Sequence, residues 1–181
     1  GTYVPDSLPY NMQANRKGVK LSGIDERDFT FHIRAGLEAF GGYPSNGGKR
    51  DLVNNPTILS GYGVGKWSTA KVYHVVVMDT SNYWTTTYDT SVLDGFTVKN
   101  GDASSGGIVT INGKGFSQGS GAGIVISGTV SIRNMNIVDN SAISGGGIYA
   151  LNGNVNISES AISRNYVNFS GGGLKLASCK I

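Results

Sequence analysis

The sequence has one cysteine, Cys179, among its 181 residues. An internal disulfide is therefore excluded, and with it any small fold held together by bridges. Charge is also scarce. Lys, Arg, Asp and Glu together make up 15% of the chain, against about 25% in an average globular domain. Long helices with charged outer faces are hard to build from such a chain. No apolar run approaches the roughly 20 residues of a membrane-spanning helix, which predicts no direct membrane span. The net charge is only +3. Its basic residues are scattered, with small excesses at Arg16, Lys17 and Lys20 and at Lys49 and Arg50. Nucleic-acid binding asks for a concentrated basic stripe or a motif, and neither is present.

Glycine is what the chain has in excess, 28 of 181 residues, about twice the usual share. Ser, Thr and Asn supply most of the polarity. That composition predicts many short strands and tight turns.

The second half reads as a repeat. Leu93–Gly101, Ile132–Asn140 and Ile157–Asn165 superimpose without gaps. Their first, fourth and sixth positions are predicted to point inward: Leu93, Phe96 and Val98; Ile132, Met135 and Ile137; Ile157, Ser160 and Ile162. The ninth position is Gly101, Asn140 or Asn165. These types tolerate left-handed backbone, so a sharp corner is expected there. A glycine motif accompanies the repeat, at Gly121–Ile126, Gly145–Ala150 and Gly171–Leu176. Its third residue falls at 123, 147 and 173, spacings of 24 and 26. One unit therefore takes about 25 residues. It holds two or three strands and no helix, and it cannot bury its apolar face alone, so it must stack on copies of itself. Glycine runs then mark corners where neighbouring units approach closely. Asn140 and Asn165 are expected to stack, with their amides bonded along the stack. An extra loop, 102–119, interrupts the unit between the first two copies.

The predicted fold is all-β: a right-handed parallel β-helix, a solenoid with an N-terminal cap. Parallel crossovers are right-handed in about 98% of cases. Residues 1–28 are assigned to an N-terminal strand and cap, and 29–181 to the stacked coils of a single domain. Phe29–Phe40, Pro56–Ser60, Tyr73–Met78 and Val92–Val98 are expected as strands of earlier, less regular coils. Aligning Gly173 with Gly147 puts Ile181 where Val155 sits. The last coil is therefore expected to be incomplete, which suggests a fragment or self-association through the open C-terminal coil.

At these residues the chain resembles the pectin-lyase-like right-handed β-helix repeat proteins of bacterial surfaces, including the polymorphic outer-membrane protein type. Gly145–Ile148 and Gly171–Leu174 match that family's Gly-Gly-x-Ile element. Ile137–Asn140 and Ile162–Asn165 match its apolar-x-x-Asn element, with isoleucine where phenylalanine is usual. The front half resembles the start of secreted Bacteroidetes-type β-helix domains through Gly1–Tyr3, Gly41–Pro44, Arg50–Asp51, Ile58–Gly61, His74–Val76 and Leu93–Thr97. The resemblance implies a β-helix and an extracellular or cell-surface location, and it leaves function open.

Candidate chemistry is sparse. A hydrolase of this fold needs two carboxylates facing one groove. Asp79, Asp89, Asp94, Asp102, Asp139 and Glu159 do not align on one face. Asp94, before Gly95, is read as a turn residue, and Asp139 as a solvent-facing corner. His32 and His74 lie in apolar stretches and are read as structural. Cys179 is read as an inward small hydrophobe. No metal-ligand spacing is present, so neither metal nor other cofactor is predicted, and no catalytic residue is assigned. Trp67, Tyr83, Trp84 and Tyr88 are the candidate ligand-binding residues, an aromatic platform for sugar. The expected function is a non-catalytic adhesin-like or scaffold protein binding a glycan or a host or cell-surface protein. The alternative is a polysaccharide lyase or glycoside hydrolase of the same fold, or a fragment of one.

Overall fold

The computed structural model describes residues 1–8, 25–63, 69–80 and 89–180. Apart from a 3-10 turn at Glu26–Asp28, every regular element among them is a strand. In chain order these are β1 (Thr2–Tyr3), β2 (Phe31–Arg34), β3 (Glu38–Phe40), β4 (Thr57–Ser60), β5 (Val76–Asp79) and β6 (Ser91–Asp94). Then come β7 (Phe96–Lys99), β8 (Asp102–Ala103), β9 (Ile108–Ile111), β10 (Lys114–Ser117), β11 (Ile124–Ser127) and β12 (Val130–Arg133). The last are β13 (Asn136–Val138), β14 (Ser141–Ser144), β15 (Ile148–Ser158), β16 (Ala161–Ser163), β17 (Tyr166–Ser170) and β18 (Leu174–Lys180). The expected strand regions of the front half hold β2 and β3, β4, β5, and β6 with β7.

Nearly all pairing is parallel and joins strands one repeat apart. One series runs β2, β5, β11, the first half of β15, and β18. A second runs β3, β6, β12 and the second half of β15. A third runs β1, β4, β7, β13 and β16. A fourth, shorter series runs β8, β14 and β17. The registers reproduce the gapless sequence alignment. Ile132 faces Leu93 on one side and Ile157 on the other. Ile148 likewise faces Ile124 and Leu174. Each residue class thus forms a column, one member per layer.

Inward columns make the core. Val76, Met78, Ile124, Ile126, Ile148 and Ala150 meet Leu93, Val98, Ile132, Met135 and Ile137 in one buried cluster. Ser160 breaks the apolar pattern at its fourth position. Its hydroxyl accepts from the Met135 N–H at 3.1 Å and donates to the Ser158 carbonyl at 2.7 Å. Those bonds satisfy a polar group in an otherwise apolar column.

The first series is covered on both faces. Val77 and Val125 point away from the core, yet they are buried under Val109, Ile111 and Phe116 of an antiparallel hairpin, β9–β10. This explains the unbroken apolar run of β5, since a strand buried on both faces has no polar side. The extra loop 102–119 is therefore largely structured. Asn112 and Gly113 form its two-residue turn with φ of 49° and 76°. Asn-Gly is the strongest short signal for such a turn, and it stands in the sequence between two apolar segments.

The left-handed corners are not where the sequence reading put them. Positive φ occurs at the eighth position of each copy, at Asn100, Asp139 and Arg164. It recurs at the third, at Gly95, Asn134 and Glu159. The ninth residue instead faces inward and holds the corner together. The Asn140 amide nitrogen donates to Asn165 Oδ1 at 3.0 Å and to the carbonyls of Val138 and Val98. Asn140 Oδ1 accepts from the Gly101 N–H at 2.9 Å. The Asn165 amide donates to the Ile137 carbonyl at 2.8 Å. Glycine is required opposite this ladder. A Cβ on Gly147 would lie 2.9 Å from Asn165 Nδ2 and 2.8 Å from Ile162 Cγ2.

Candidate functional site

The acidic residues are mostly tied into internal contacts. Asp94 is not a turn residue: it ends β6 with its side chain 6% exposed. It meets the Arg50 guanidinium, the Arg133 Nε at 3.4 Å and the Asn134 amide at 2.9 Å. Gly95, which suggested a turn, does have positive φ, but the corner begins after the carboxylate. Burial pushes the Asp94 carboxyl up. The Arg50 and Asn134 hydrogen bonds and the two guanidinium charges outweigh it, and hold the group below the usual carboxylate range. Arg50 also donates to the Gly41 carbonyl at 2.7 Å, which ties the 41–56 segment to the strands.

Asp79 ends β5 with no exposed side-chain surface. It accepts from the Asn112 amide at 2.8 Å, and Lys114 Nζ is 3.7 Å away. It therefore anchors the hairpin turn. Asp139 is an exposed corner residue, as read, and forms a two-pronged pair with Arg164 at 2.9 Å on each arm. That guanidinium lowers the Asp139 pKa. Asp102 sits 3.6 Å from Arg27. Each of these four carboxylates has a nearby cation, an arrangement for structure rather than for proton transfer.

His74 is 4% exposed, and its Nδ1 donates to the Gly121 carbonyl at 3.0 Å. Burial lowers its pKa to about 4, so it is a neutral structural histidine at ordinary pH. Burial likewise lowers that of His32. Cys179 packs half-buried against the core. Among the described residues no group of three or more His, Cys, Asp or Glu is placed to hold a metal ion. No helix among them is long and apolar enough to cross a membrane.

A different feature stands out. An open groove of about 480 Å³ runs beside the second strand series, lined by Thr90, Thr129, Val130, Ser131, Asn154, Val155, Asn156 and Lys180. Register explains its form. Val130 pairs with Ser91 and with Val155, so Thr90, Thr129 and Asn154 fall in one column. Asn154 pairs in turn with Lys180 of β18. Ser131 and Asn156 form a second column beside it. The valines belong to the inward columns and close the floor. Among the described residues the lining contains no carboxylate and no imidazole. Thr90, Asn154, Asn156 and Lys180 are exposed, while Thr129 and Ser131 are half-buried.

The sequence reading did not pick out these residues. The column could have been found by extending the aligned copies backwards by three positions, which pairs Thr90, Thr129 and Asn154. The four predicted aromatics, Trp67, Tyr83, Trp84 and Tyr88, lie outside the described residues. Tyr88 is two positions before Thr90 in the sequence.

No family model, no curated protein and no solved structure matches this chain. The fold and the groove therefore carry the functional reading by themselves.

Proposed function

We propose that this chain is a right-handed parallel β-helix of the pectin-lyase-like surface type, secreted or displayed at a bacterial cell surface. In this reading it is a non-catalytic, adhesin-like module whose lateral groove binds a glycan or a surface protein. The observation that carries the reading is the groove itself. It offers hydroxyl and amide groups in register across successive layers, and its described residues include no acid–base pair to perform cleavage. Of the six acids that an enzyme of this fold would draw on, Asp79, Asp94, Asp102 and Asp139 lie beside Lys or Arg, and Asp89 and Glu159 are not among the residues lining the groove.

Two measurements on the purified chain test this. A glycan and surface-protein binding screen should give a ligand whose affinity falls at least tenfold in the double variant Asn154→Ala, Asn156→Ala. Incubation with acidic and neutral polysaccharides should release no new chain ends. Measurable cleavage would replace the adhesin reading with the lyase or hydrolase one. A blank binding screen would leave a structural stalk.

A further inference from the structure

Resting on the groove reading above, we infer that the groove takes a neutral, extended, polyhydroxylated polymer aligned with the stacking direction, one unit to each layer. Three observations lead there.

The first is the spacing. Thr90, Thr129, Asn154 and Lys180 come from four successive layers in one register column. Neighbouring parallel strands are about 4.8 Å apart, so the column presents one polar group at each such step. That step is close to the rise of one sugar in a flat β-1,4-linked chain. A ligand lying along a strand would meet only one layer's pair, Thr129 with Ser131 or Asn154 with Asn156.

The second is charge. Of the six polar side chains in the groove, five are neutral and Lys180 alone is charged. An acidic polymer would need a cation at every unit, or carboxylates to share a divalent cation with it. Neither is in the lining. Hydroxyls and primary amides instead both donate and accept, which suits sugar hydroxyls.

The third is availability. None of these six side chains makes a hydrogen bond or ion pair to another described residue. The column at Asn140 and Asn165, by contrast, is closed on itself. Hydrogen-bonding groups that are already aligned by the strands and have no internal partner lose little freedom on meeting a ligand.

The test is a length series by calorimetry, using β-1,4-linked glucose oligomers of two to six units, with hexameric oligogalacturonate, with and without calcium, as the acidic comparison. Affinity should climb by roughly tenfold or more from dimer to tetramer and level off beyond it. Thr129→Val, Asn154→Ala and Lys180→Ala should each flatten that climb. Circular dichroism melts of the variants verify that they are folded. A dimer that binds as tightly as the hexamer overturns the unit-per-layer alignment. Binding of oligogalacturonate in preference to the glucose hexamer overturns the neutral class while keeping a glycan-binding groove. Failure of every oligomer overturns this inference. If a surface protein still binds through Asn154 and Asn156, the groove reading survives.

Discussion

Two of the polar columns in this molecule are built from similar residues and do opposite things. Gly101, Asn140 and Asn165 form a closed column whose amides bond to one another and to backbone carbonyls of neighbouring layers. Thr90, Thr129, Asn154 and Lys180 form an open one, exposed along a groove. Asn140 is 1% exposed, and Asn154 is exposed. The difference lies in which side of the strand path the column occupies. Inward amides must find partners or lose the hydration they gave up. Outward ones keep water until something replaces it. A repeated asparagine is thus a structural element or a binding element according to how many internal partners it has.

The comparison is tested most severely by removing the closed column. Asn140→Ala removes an amide whose two N–H groups are shared among three acceptors and whose oxygen accepts from Gly101, and leaves the Gly101 N–H without that acceptor inside the core. Buried bonds contribute about 1 kcal/mol each and an orphaned buried group costs about 1–3 kcal/mol, so a loss of roughly 3–5 kcal/mol is expected. Urea denaturation read by circular dichroism measures it. A loss under about 1 kcal/mol would mean the amide ladder is not what holds the corner.

Acid should weaken the same interior by another route. His74 has a pKa of about 4 in the folded chain, against 6.5 for an unperturbed histidine. The unfolded chain therefore binds the proton more tightly, and stability rises with pH between these values. Lowering the pH from about 7 to about 4 should cost up to about 3 kcal/mol from this one group, with little further change from it below that. Melting temperatures across pH 4–7 for the native chain and for His74→Gln compare the two. The variant should lose most of the slope over that range.

These buried groups also show which parts of the fold were legible in the sequence. The column arrangement was readable, because inward Leu93, Ile132 and Ile157 and the glycine motif recur at fixed spacing. The interruption at 102–119 was visible only as a gap in the repeat. Its hairpin was signalled by Asn112–Gly113 but does not belong to the repeat, so it was passed over. Corner geometry was misplaced by one residue. Asn at the ninth position suits both left-handed backbone and an amide ladder, and composition cannot separate them. Asp94 was misread because Arg50 is 44 positions away in sequence, and no local pattern announces such a partner. The groove was hidden for a related reason: Thr, Ser and Asn are the common surface residues of this chain, and only register makes a column of them.

Arg50 gives a smaller, more local effect. Arg50→Ala removes the ion pair to Asp94 and the bond to the Gly41 carbonyl, while Arg133 and Asn134 remain beside the carboxylate. With the guanidinium partly exposed, a loss of about 1–2 kcal/mol is expected. Amide hydrogen exchange should rise chiefly in 41–56, the segment that Arg50 ties down. Exchange spread evenly over the molecule would instead make the contact part of the global core.

The smallest expected effect on stability belongs to the open column, and it completes the comparison. Asn154→Ala and Thr129→Ala remove side chains that bond to no other described residue, so each should change stability by no more than about 0.5 kcal/mol. The same asparagine-to-alanine change at Asn140 and at Asn154 should thus differ by several kcal/mol, although both positions repeat once per layer. Binding should invert the order: the Asn154 variant loses ligand while the chain stays folded. If Asn154→Ala proved as destabilising as Asn140→Ala, the open column would be supporting the stack and the groove would be a by-product of it. If it changed neither stability nor binding, the column would be ordinary hydrated surface. Only the combination of unchanged stability and lost binding marks a column that the fold aligns but does not need.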